Sequence, residues 1–182
     1  MTLFVSILAA LAAPVDPREL IEEARHRALR GDYEGTRILL VEALDIAGDH
    51  ALEARYLQAL AWEYEGETAR ALTLYDDLLA DWPPDRSADD VIFRRAETLA
   101  KLQRYAEADK QLRQLTGDRP RGDQQKIDLL HGIWHLERGH RNRGVNRIAT
   151  ALDHSDGDIA AWHRSQARLT LLQALVEGAR AI

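Results

Sequence analysis

At 182 residues, 46% hydrophobic and 30% charged, the chain has the length of one soluble domain and enough apolar residues for a core. It contains no cysteine, which excludes a disulfide framework, a thiolate metal site, a cysteine nucleophile and a lipid-modified cysteine. Its formal net charge of −6 argues against general nucleic-acid binding.

The charge is unevenly spread. Residues 1–90 carry 19 acidic and 8 basic side chains, net −11, whereas residues 91–182 carry 11 acidic and 16 basic, net +5. Such an asymmetry either orients a partner and promotes head-to-tail contacts, or is simply an uneven solvated surface. Of the basic residues, 21 are Arg and only Lys101, Lys110 and Lys126 are Lys, a pattern that fits the codon usage of a GC-rich genome. Alternating β-branched and aromatic residues are scarce, while Ala, Leu, Glu and Arg recur with helical periodicity. An all-α fold is expected.

In chain order, Leu3–Ala13 is apolar apart from Ser6, and Ala10-Leu11-Ala12 fits an A-x-A cleavage site. The run is too short for a membrane-spanning helix of about 20 residues. It reads as a leader, cleaved to leave a chain beginning near Ala13-Pro14, or as a short apolar arm or misplaced start, because no Lys or Arg precedes Arg18. A leader implies a periplasmic or secreted protein; without one the protein is cytoplasmic.

Asp16-Pro17-Arg18-Glu19 starts the first helix: Asp caps, Pro takes the first helical position, and an acid follows three residues after the cap. Gly31-Asp32 separates this helix from a second over Tyr33–Ile46, giving a hairpin over about 17–47. The next hairpin, about 51–82, turns at Glu65-Gly66-Glu67 and is stopped by Pro83-Pro84, which cannot continue a helix. Ser87-Ala88-Asp89-Asp90 caps a third, about 88–117, and a fourth covers about 123–154. A last helix is expected over about 158–181, with Trp162, Leu169, Leu171, Leu172, Leu175 and Val176.

One small residue on each hairpin's first helix is followed twelve positions later by another on its second: Ala24/Thr36, Ala59/Ala71, Ala96/Ala108 and Gly132/Gly144. Thr36 is the poorest fit, since a β-branched side chain holds crossing helices apart. Successive pairs are offset by 35, 37 and 36 residues, and Tyr75, Leu78 and Pro83 follow Ala71 at +4, +7 and +12. This pattern resembles the tetratricopeptide repeat family, whose unit is 34 residues, over about 17–155. The family's first-helix Trp and Leu-Gly are mostly missing, and the units run slightly long. The resemblance implies a right-handed α-solenoid of antiparallel helix hairpins, closed by a C-terminal capping helix. Because the last helix stays apolar on several sides, it either caps and folds back or presents a surface to a second copy or partner.

The resemblance also implies a function: first helices line a groove that takes a segment of another protein. On matched positions that groove would be formed by Ile21, Arg25 and Leu29, then Tyr56, Leu60 and Tyr64, then Phe93, Glu97 and Lys101, and last Leu129, Ile133 and Glu137. The alternative is that some of these residues are core. The family's branch that grips a terminal carboxylate with lysines and asparagines is not matched, since the only asparagines are Asn142 and Asn146, on the other helix of the fourth hairpin.

Other candidate chemistry is sparse. His131 and His135 have the i, i+4 spacing of a metal pair but no third ligand. Asp153-His154-Ser155-Asp156-Gly157-Asp158 looks like a cation loop, yet its twelfth position is Arg164, which makes it an inter-helix turn. No phosphate loop, G-x-S-x-G or dinucleotide fingerprint occurs. Arg138, His140, Arg141, Arg143 and Arg147 form the densest basic cluster, either a solvated face or a surface for phosphates or an acidic partner. The expectation is a non-enzymatic scaffold, without cofactor, metal, nucleic acid or stable membrane span, that binds a protein or peptide segment. A homo-oligomeric module joined through its charged ends or its last helix is the alternative.

Overall fold

A computed structural model of the chain describes residues 15–115, 121–153 and 169–173. The leader-like stretch 1–13, Pro120, the turn after Asp153 and most of the helix expected over 158–181 lie outside the described residues. Among the described residues the helices are α1 (Pro17–Leu29), α2 (Tyr33–Ile46), α3 (Ala51–Glu65), α4 (Thr68–Ala80), α5 (Asp89–Lys101), α6 (Tyr105–Gln114), α7 (Arg121–Glu137) and α8 (Arg141–Asp153), with a 3-10 turn at Gly48–His50, and residues 169–173 are also helical. Among the described residues there is no strand, and no helix is long and apolar enough to cross a membrane. The chain forms two compact units that divide between Arg94 and Arg95, inside α5.

The helix starts follow from local chemistry. Asp16 accepts from the Arg18 backbone N–H at 2.9 Å, and the Arg18 guanidinium closes back on the same carboxylate. Asp32 caps α2 through the Gly35 N–H at 2.9 Å. Each cap satisfies a donor that the first helical turn leaves unpaired.

The turns inside the hairpins share one hydrogen-bond pattern. After α3, Gly66 N–H reaches Glu63 O and Glu67 N–H reaches Trp62 O, with Gly66 at φ 91°. The same pair of bonds closes α1 at Gly31-Asp32, α5 at Gln103-Arg104 and α7 at Gly139-His140. This is a Schellman closure, which requires a left-handed residue at its centre. Three turns place Gly there; the third places Gln103, at φ 60°.

In the first unit, Ile21, Ala24, Leu40, Ala43 and Ala54 form one core cluster, and Ala59, Ala71, Tyr75, Leu78 and Val91 form the next. Ala24 and Thr36 meet at the first crossing, where the Thr36 hydroxyl donates to Asp32 O at 2.6 Å and lies 3.3 Å from Ala24 O. The hydroxyl of the β-branched residue is thus shared between a carbonyl at the start of its own helix and, at longer range, one on the facing helix. Tyr75 is fully buried, and its hydroxyl donates to the buried Glu63 at 2.8 Å. Burial and the Glu63 carboxylate push the Tyr75 hydroxyl's pKa well above its ordinary value. Arg37 and Arg70 both lie over the Trp62 ring, at 3.8 and 4.7 Å from its centroid, and Arg37 also pairs with Glu65.

In the second unit, Ala96 and Ala108 are fully buried, and Leu129, Ile148 and Ala151 anchor the α7–α8 core. The α7–α8 crossing has no room for side chains. A Cβ on Gly144 would lie 2.6 Å from Leu136 Cγ and 2.8 Å from Gly132 O; one on Gly132 would lie 2.5 Å from Ile148 Cγ1.

Candidate interaction surfaces

Within the first unit, α1, the start of α2 and α3 enclose a hollow of about 460 Å³. Ala24, Ala28, Thr36 and Ala61 contribute little bulk to it, and Leu29, Leu57, Leu60, Tyr33, Tyr64 and Arg25 complete the lining. Tyr33 and Tyr64 stack with centroids 6.1 Å apart and planes 20° from parallel. Tyr64 is 55% exposed and Leu29 85% exposed, so the hollow opens to solvent beside two large apolar surfaces. Arg25 pairs with Glu53 and lies 3.7 Å from Glu22, which leaves its charge compensated at the hollow's edge.

Of the expected groove residues, Arg25, Leu29, Leu60 and Tyr64 therefore share one hollow. Tyr56 is half-buried, packs against Tyr75 at 6.3 Å and bonds with Arg94, whose guanidinium also lies 3.4 Å from the Tyr64 hydroxyl. Burial raises the Tyr56 pKa, an effect that Arg94 opposes. Ile21 is a core residue, 2% exposed, and Leu129 is another, 4% exposed; neither side chain is available to a partner in this structure. Phe93 and Glu97 are half-buried on α5, and Lys101 at its end is exposed. Ile133 packs against the Leu129 cluster, and exposed Glu137 accepts from the Tyr105 hydroxyl at 3.1 Å. Tyr33, Thr36, Leu57 and the alanines of the hollow were absent from the groove expected by sequence. The available signal was Ala24 and Ala28, one helical turn apart, beside Ala61 in the next hairpin.

His131 packs edge-on against Trp134, at 5.6 Å between ring centroids, and its Nε2 lies 3.2 Å from Asp109 Oδ1. Burial and the Arg147 charge hold its pKa below the ordinary histidine value, while Asp109 and Asp128 act in the opposite direction. The His135 ring faces that of His140 at 5.7 Å. Among the described residues no three His, Asp or Glu side chains are grouped to hold a metal. His131 thus packs beside Trp134 and Asp109, and His135 beside His140.

With this geometry in hand, comparison with known proteins is direct. A tetratricopeptide repeat profile matches residues 53–84 and 90–121, covering α3–α4 and the third hairpin. Over these two stretches the chain carries tetratricopeptide repeats. Its structure superposes on MamA 41-end from Desulfovibrio magneticus RS-1 with a TM-score of 0.62 at 17% identity, covering 93% of this chain and 98% of that one. A MamA RS-1 ArsTM double mutant gives a TM-score of 0.61 at 16% identity, covering 92% of this chain and 98% of that chain. A Podosopora anserina putative kinesin light chain with nearly identical TPR-like repeats also gives 0.61, at 14% identity and with 90% and 87% covered. No curated protein matches in sequence. At these identities the structural likeness establishes the fold, an α-solenoid of antiparallel helix hairpins. Repeats of this type are protein-interaction modules, and the family-level function is that of an interaction scaffold.

Proposed function

We infer that this protein is a non-catalytic scaffold that holds a partner protein through an apolar anchor in the hollow between α1 and α3. One observation carries the reading: a hollow of about 460 Å³, with alanines in its lining and exposed leucine and tyrosine side chains beside it. Aromatic and aliphatic side chains around a pocket are the usual anchors of a protein interface. The paired state of Arg25 adds orientation at the edge without leaving an uncompensated charge for the partner to neutralise. An extracytoplasmic location belongs to the same proposal and is supported by the leader-like Leu3–Ala13. Mass spectrometry of the protein recovered from cells should then give an N-terminus near Ala13.

The test uses the tagged full chain, crosslinked in its host, beside a Leu60→Ala/Tyr64→Ala variant shown by circular dichroism to be folded. A partner held by the first and lost by the second supports the hollow as the working surface. The same partners on both would reject it. Recovery of the protein alone would favour self-assembly.

A further inference from the structure

Two of the apolar surfaces that this chain leaves exposed sit in opposite settings of charge. The first is the mouth of the hollow, where Leu29 is 85% and Tyr64 55% exposed. The second is the helix at residues 169–173, whose Leu171 packs on the cluster of Leu129, Ile148 and Ala151. Its Leu169 and Leu172 are 58% and 59% exposed. At 100° per residue these two leucines lie about 60° apart around the helix, and Leu171 lies at least about 100° from either. Leu171 thus seats the helix on the second unit while a pair of large apolar side chains turns outward. In the sequence Val176 follows Leu169 at +7.

The hollow's own chemistry selects for a helix. Its lining is largely apolar, and two of its polar groups are already engaged: the Thr36 hydroxyl donates to Asp32 O, and Arg25 pairs with Glu53. An extended segment would carry main-chain amides into that lining, where burial without a partner is costly. A helix pairs its own amides and presents apolar anchors at i and i+3. Leu169 and Leu172 have that spacing.

Charge sets the two surfaces against each other. Residues 1–90 are net −11 and residues 91–182 net +5. At the hollow's edge two carboxylates, Glu22 and Glu53, stand against the Arg25 guanidinium, and Glu34 is exposed beside Tyr33. Arg94 reaches the Tyr64 hydroxyl without reversing the first unit's excess of acid. On the second unit, exposed Arg141 and Arg143 lie on α8, whose Ile148 and Ala151 help to seat the helix of Leu171. Arg143 also lines a polar crevice between α7 and α8, beside Arg147, which pairs with Asp128. The sequence from Trp162 to Ile182 adds Arg164, Arg168 and Arg180 against Glu177.

We propose that the hollow takes the last helix of a second copy of this chain, with Leu169 and Leu172 as the anchors. This rests on the reading of the hollow as a protein-binding surface and names its occupant. Because the hollow and the leucines are different patches, the contact is heterologous, and each copy brings one hollow and one helix to it. The charges that align the two copies are exposed, so the contact weakens as salt screens them.

Analytical ultracentrifugation at low and high salt tests this on three full chains: the parent, Leu60→Ala/Tyr64→Ala and Leu169→Ser/Leu172→Ser. Circular dichroism first shows that each is folded. The parent's mass should rise with concentration, and association should be at least about tenfold weaker in either variant alone. Mixed, the two variants should form a one-to-one complex and stop there, because one intact helix then meets one intact hollow. Variants that associate as well as the parent, or a mixture that does not pair, would overturn the proposal. The absence of cysteine gives a second measurement should the helix variant fail to fold. In differently tagged copies, Leu172→Cys should form a disulfide with Leu29→Cys and not with Ile38→Cys, which is exposed on α2 outside the hollow. Equal linkage to both would also overturn it. A monomeric parent that still loses a foreign partner in Leu60→Ala/Tyr64→Ala would reject this occupant and keep the hollow's function. A monomeric parent whose partners are the same with and without that change would reject both.

Discussion

The first unit and the α7–α8 pair of the second solve one packing problem in different ways. In the first, the helices cross on Ala24/Thr36 and Ala59/Ala71, and the threonine hydroxyl is shared between a carbonyl at the start of its own helix and, at longer range, one on the facing helix. In the second, α7 and α8 cross on Gly132/Gly144, where the backbones approach too closely for any Cβ. The surfaces diverge as well. The first unit opens an apolar hollow with alanines in its lining, the second a polar crevice faced by arginines. The lesson is that the repeat fixes where small residues must sit, while the residues around each crossing are free to set the chemistry offered to a partner.

The sharpest way to break this comparison is at the crossings. Gly144→Val should destabilise the second unit by about 3 kcal/mol, as its side chain would meet Leu136 and the Gly132 carbonyl. The reciprocal change in the first unit, Ala71→Gly, should cost only about 1 kcal/mol, mostly in helix propensity. Urea denaturation of both variants checks the pair, and equal costs would show that the crossings are interchangeable.

Tyr75→Phe should destabilise the first unit by about 2 kcal/mol in the same assay, because the buried Glu63 carboxylate loses a hydroxyl donor. Next in size, Gln103→Gly should stabilise the second unit by about 1 kcal/mol, raising the thermal midpoint by relieving a left-handed conformation that a Cβ disfavours. Converting the corresponding glycine of the first unit, Gly66→Gln, should have the opposite sign.

The smallest expected effect is on pH dependence. The folded state holds His131 neutral more strongly than the unfolded state does, so protons favour the unfolded chain. Stability should be full above about pH 6.5, the ordinary histidine value, and fall as pH drops through the lowered folded pKa. Urea midpoints measured from pH 7.5 to 5 should show this decline, and His131→Gln should flatten it.

The fold was legible because each crossing needs a small residue at a fixed distance from the next, and Gly or Pro punctuates most turns. Gln103 shows where that signal fades: the turn keeps its hydrogen bonds without its glycine. The site was legible in part. Reading every fourth residue along a helix follows a stripe that drifts about 40° per step, because a turn holds 3.6 residues. Ile21 accordingly lies in the core while Leu29 stands in solvent, and Leu129 is buried while Glu137 is exposed. Only the middle and later members of the first two stripes, Arg25, Leu29, Leu60 and Tyr64, reach the hollow. Tyr33 and Thr36 escaped because they lie on a second helix, and the repeat's geometry assigns the groove to first helices.

The hollow owes its volume to what its alanines omit, which makes its selectivity adjustable from the protein's side. Ala28→Met would grow a flexible plug into the space from within, and a partner with its anchor trimmed to alanine would regain a fit that the natural partner loses. Such a matched pair would be an orthogonal lock and key, usable in cells beside the parent protein. Because the lining comes from three consecutive helices alone, re-cutting the lock leaves the Gly132/Gly144 crossing untouched.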